Sequence, residues 1–103
     1  MTREIRNPEQ CESMAEVRAG VDTLDAELVD LLTRRFGYMA AAARIKSDRE
    51  SVRDEARKAE VIGNAKARAL QNGLPVALVE DFWERLVEAS IAYEFEKWDS
   101  LRR

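Results

Sequence analysis

Arg35 and Lys46 stand eleven residues apart, and between them Ala40 to Ala43 is a run of four alanines. On an α-helix that spacing turns the two cations to within roughly 20° of one another and sets them about 16 Å apart along the axis. Two long cationic side chains flanking an alanine floor outline a cavity for a small anion. A competing reading lets Arg35 snorkel or pair with a glutamate, the alanines serving only close helix packing. Farther on, Ser90 and Glu94 occupy i and i+4 on a stripe that is apolar at Val79, Trp83 and Leu86. A serine hydroxyl can bond to its own helix, whereas a buried carboxylate needs a partner or a proton. The alternative puts Glu94 on the surface beside Glu96 and Lys97. Asp54, Arg57 and Lys58 add charge near the end of the Arg35–Lys46 segment. The chain has no histidine and a single cysteine, Cys11, so His-based triads, an internal disulfide and most zinc sites are excluded, and no metal site is expected. A pocket for a small anion and a merely structural role for these charges both stay open on the residues alone.

The net charge of −3 hides an asymmetry. Arg34 to Arg68 holds ten Lys/Arg against five Asp/Glu, while the rest of the chain holds seven against fifteen. An acidic protein with a basic middle is a poor match for nucleic acid and suits a small anion better, unless the charges are only a solvated helix surface. The apolar runs fall far short of the ~20 residues that span a bilayer. Met1 to Gln10 has no apolar core of a signal peptide, and a reducing, cytoplasmic location is expected.

The elements that must position these residues are helical. Ser13 with Glu16 forms an S-x-x-E capping box. Apolar residues then recur at Met14, Val17, Val21, Leu24, Leu28 and Leu31, a heptad seam whose continuation falls on Arg35, Tyr38, Ala42 and Ile45. A first helix of about 33 residues and ~50 Å, ending near Lys46, follows. Ser47 to Arg53 reads as a polar loop that a bound anion would order. Asp54 caps a second helix to about Gln71, with Val61, Ile62, Ala65, Ala69 and Leu70 on its apolar side. Asn72-Gly73-Leu74-Pro75 stops that helix and starts a third, which reaches Leu101 with Val79, Phe82, Trp83, Leu86, Val87, Ile91, Phe95 and Trp98 as its apolar set. No β-branched run alternates with period two. The fold class is all-α: one domain over residues 1–103, three helices with a long first one. A compact 100-residue monomer has a radius of gyration of only ~13 Å, too small to cover so long a seam, which predicts a homodimer intertwined along helix 1. Arg18 precedes Arg35 by seventeen residues, about 25 Å on one helix, so no small dianion reaches both from one chain. As a ligand-binding residue, Arg18 must enter the partner's pocket.

The ordered set Arg18, Arg35, Lys46, Val52-Arg53-Asp54, Arg57, Ser90 and Glu94, over residues 8 to 98, resembles the all-helical chorismate mutase family and its relative, isochorismate-pyruvate lyase. The resemblance implies an intertwined homodimer with two interfacial sites that rearrange chorismate to prephenate in aromatic amino acid biosynthesis, without cofactor or metal. It implies that Arg18 of the other subunit and Arg35 hold the substrate carboxylates, with Arg57 in support and Ser90 assisting. Lys46 would contact a carboxylate and the ether oxygen, Asp54 would lie near the ring hydroxyl, and Glu94 would make the second ether contact. Many relatives have glutamine at position 94 and often glutamate where this chain has Lys58, and the resemblance gives Lys58 no role. The lead-in Asn7-Pro8-Glu9-Gln10-Cys11 also looks like the lyase branch, which is the alternative activity. A pericyclic rearrangement needs no nucleophile or general base; it needs a folded substrate and donors at the ether oxygen. The remaining alternative is a non-catalytic helical dimerisation or regulatory module, in which Arg35→Leu would stabilise the dimer.

Overall fold

The structure, a computed structural model, describes residues 5–103. Pro8–Gln10 forms a 3-10 turn, followed by α1 (Met14–Ile45), a second 3-10 turn (Arg49–Val52), α2 (Glu55–Gln71) and α3 (Val76–Leu101). Among the described residues there is no strand, and no helix is long and apolar enough to cross a membrane.

Local chemistry sets each boundary. At the start of α1, Ser13 Oγ accepts from the Glu16 amide at 3.2 Å, and Glu16 Oε1 accepts from the Ser13 hydroxyl and the Glu12 amide. These contacts satisfy donors that the first turn leaves unpaired. Asp54 caps α2 by accepting from the Arg57 amide at 3.0 Å. Between α2 and α3, Leu74 N donates to Ala69 O and Gly73 N to Leu70 O, the paired bonds of a Schellman turn. Gly73 takes φ +71°, the left-handed conformation this turn requires.

The chain forms two compact units, one ending at Arg35 and the other spanning Phe36–Arg103. In the first unit no described residue is buried, and the seam residues Val21, Leu24, Leu28 and Leu31 are each about half exposed or more. In the second unit, α2 and the Arg49–Val52 turn pack on α3. Val52, Val87 and Ile91 form its core, with Val61, Ile62, Trp83, Phe95 and Trp98 against them.

On the continuation of the seam, Tyr38 and Ile45 are 69% and 71% exposed in the single chain, like the seam residues before them. Instead Phe36, Met39, Ala43 and Lys46 are covered to differing degrees, and Ala43 is fully buried. That face lies one residue, or about 100°, around the helix from the heptad positions. Its first member, Phe36, meets Tyr93 edge-on at 5.1 Å between ring centroids. Leu70 and Phe82, expected on apolar faces, are also exposed. Finally, the Ser47–Arg53 segment is not an unstructured polar loop. Its 3-10 turn delivers Val52 into the core, and Arg49 forks onto Asp99 while stacking over Phe95 at 4.5 Å.

Candidate active site

The second unit brings Lys46 and Glu94 together. Lys46 follows the last residue of α1, and its amide still donates to Ala42 O at 2.9 Å. Glu94 lies on the buried row of α3 with Leu86, Val87, Ser90 and Ile91, and is 4% exposed. Lys46 Nζ approaches Glu94 Oε2 to 2.7 Å. The contact is an ion pair, and this buried oxygen has no hydrogen-bond partner among the described residues. An ammonium carries three donors and a carboxylate accepts only, so Lys46 has N–H groups to offer an anion without leaving Glu94. Ser90, one turn before Glu94, is buried, and its hydroxyl donates to Leu86 O at 2.7 Å. That is the helix back-bond expected of a serine in such a row.

The Lys46 backbone is held from the same helix. Trp98 Nε1 donates to Lys46 O at 3.1 Å, and the Arg102 guanidinium donates to Lys46 O at 2.6 Å and to Ala43 O at 3.0 Å. Sequence reasoning placed Trp98 among apolar residues and gave Arg102 no role. The available signal was a helix end at Lys46 with no glycine to terminate it.

Asp54, Arg57 and Lys58 separate by role. Asp54 is the α2 cap, whereas Arg57 is 64% exposed at its side chain and pairs with Glu60. Lys58, beside it in sequence, faces α3 instead: its ammonium lies 2.6 Å from Glu84 and 2.8 Å from Glu88. Both carboxylates, Glu84 first, hold the Lys58 pKa above its ordinary value. Arg53 grips Glu88 through two hydrogen bonds, and with Lys58 it pushes the Glu88 carboxyl down to about 2. The Arg49 fork likewise holds Asp99 below the usual carboxylate range. These pairs are solvent-accessible, so they fix the geometry of the turn before α2 more than they add stability.

Arg18 and Arg35 belong to the first unit, where Arg18 is exposed and Arg35 half-buried.

Comparison with known proteins supplies the remaining observations. Residues 17–95 match the family model described as chorismate mutase type II. The chain is also 29% identical over 98 residues to an isochorismate pyruvate lyase of Pseudomonas aeruginosa, covering 95% of this chain and 97% of that protein.

Proposed function

The chain belongs to the chorismate mutase type II family, and from that premise we propose that it is a chorismate mutase: a cytoplasmic, single-domain homodimer that rearranges chorismate to prephenate. The observation that carries this reading is the Lys46–Glu94 pair, a cation and a carboxyl at 2.7 Å with the carboxyl buried. In the rearrangement the ether C–O bond breaks as a new C–C bond forms, and negative charge grows on the ether oxygen. A donor held at that oxygen stabilises the transition state more than the ground state. Lys46 supplies one such donor, and Glu94 supplies a second when protonated. No covalent intermediate, metal or cofactor takes part.

Arg35 and the Arg18 of a second copy hold the two carboxylates of the substrate, because bidentate guanidinium contacts fix a dianion in one folded conformation. Arg57 supports the carboxylate site, Ser90 assists there, and Asp54 lies near the ring hydroxyl. The second copy enters along the open α1 seam, whose leucines and valines are half exposed in the single chain.

A second reading is favoured by one finding: the lyase relative matches nearly end to end. In that reading the same cationic pocket converts isochorismate to salicylate and pyruvate. Incubation with chorismate and, separately, isochorismate decides between them. Prephenate from chorismate is the expected product. Pyruvate from isochorismate with no prephenate from chorismate selects the lyase, and a dimer inert on both leaves only the non-catalytic module.

A further inference from the structure

Glu94, Trp98 and Arg102 are spaced four apart, and all three act on one residue. Glu94 meets the Lys46 ammonium, Trp98 binds the Lys46 carbonyl, and Arg102 binds that carbonyl together with Ala43 O. One row of α3 therefore grips both ends of Lys46. We propose that Trp98 and Arg102 are positioning residues that cap the carbonyl end of α1 and hold the Lys46 backbone where its ammonium meets Glu94. The proposal rests on Lys46 being the donor of the reaction proposed above.

The need for such a cap follows from helix ends. The last four carbonyls of an α-helix have no partner within it, and many helices solve this with a left-handed glycine. After Ile45 the chain reads Lys-Ser-Asp-Arg, with no glycine in reach. The planar five-donor guanidinium of Arg102 answers two carbonyls at once, and its charge opposes the negative end of the helix dipole. It is held in place from below: the guanidinium stacks on the Trp98 ring at 4.2 Å and also donates to Trp98 O at 3.3 Å. A lysine side chain is a long flexible lever, so a loose Cα spreads the position of its ammonium. A misplacement of about 1 Å can cost about a hundredfold in rate.

The test uses Arg102→Ala, Trp98→Phe (which keeps the ring but loses the N–H donor) and Arg103→Ala as a charge control in the full-length protein. Two readouts are taken: amide hydrogen exchange at Lys46, with Leu86 as an internal reference, and kcat and KM on whichever substrate the wild type turns over. Loss of a charge-assisted bond predicts about tenfold faster exchange at Lys46 in Arg102→Ala, with a smaller increase in Trp98→Phe and none at Leu86. The same variants should lose kcat, about tenfold for Arg102→Ala, while KM changes less than about twofold. Arg103→Ala should match wild type in both. Unchanged Lys46 exchange in Arg102→Ala and Trp98→Phe overturns the cap. Faster exchange with wild-type kcat overturns its positioning role. A wild type inert on both chorismate and isochorismate overturns only the functional reading, and the exchange data still decide the cap.

Discussion

Glu94 faces two demands that one protonation state cannot meet. Ionised, it stabilises the Lys46 ammonium beside it, but it can only accept hydrogen bonds and repels an ether oxygen that is gaining negative charge. Protonated, it donates an O–H as a glutamine amide donates N–H. Glu94→Gln, whose amide always carries an N–H donor, should keep or raise the mutase rate near neutrality. An inactive but folded Glu94→Gln variant would remove the donor role. Glu88 bears on stability. Its folded-state pKa, about 2, lies below the ordinary 4.5. The stabilisation is therefore present above about pH 4.5 and is lost as pH falls toward 2. Glu88→Gln should flatten the acid limb of a urea-stability profile in that window, and an unchanged limb would show that solvent screens the Arg53 and Lys58 contacts. Glu94 was legible in the sequence because a carboxylate interrupts an apolar row. Trp98 and Arg102 were not, because their partners are main-chain carbonyls, which no residue type announces. Nor could the sequence decide between Arg57 and Lys58, neighbours 100° apart on a helix whose orientation only the packing of α2 on α3 sets.

The helices themselves were readable to within a residue or two, since their caps are spelled out in Ser13, Asp54 and the Asn72–Pro75 turn. Their faces were less so. A heptad count keeps a 3.5-residue period, and it led to Tyr38 and Ile45, whereas this chain's own covered face runs through Phe36 and Ala43. One helix can carry two apolar faces, and a single periodicity reports only the stronger. The Arg49–Val52 turn was missed for another reason: one buried valine among charged residues carries no period at all. The α2–α3 turn gives the test at this scale. Nothing lies within 4 Å of a Cβ built on Gly73, so only its φ of +71° resists substitution. Gly73→Ala should cost about 1–2 kcal/mol, the ordinary penalty for an L-residue in the left-handed region. The shift in urea midpoint measures it, and a loss near zero would mean that the turn relaxes to another geometry.

At the scale of the molecule, the proposed homodimer accounts for both the open α1 seam and the seventeen-residue spacing of Arg18 and Arg35. Arg18→Ala and Arg35→Ala homodimers should each be nearly inactive. Refolding the two together should restore activity, because one site of each mixed dimer then holds both arginines. No recovery on mixing would place Arg18 outside the pocket. Apparent melting temperature should also rise with protein concentration, as for any chain completed by its own partner. The short α2–α3 connection carries a consequence for the order of events. A helical hairpin with a four-residue connection closes with little loss of chain entropy, so its core contacts are near in sequence and form fast. In the proposed homodimer the seam, by contrast, is buried by a second copy, and that step awaits an encounter. Refolding should therefore show a rapid first-order phase as Trp83 and Trp98 enter the hairpin core. A slower, second-order phase should follow, its half-time shortening on each doubling of chain concentration and setting when the enzyme first turns over.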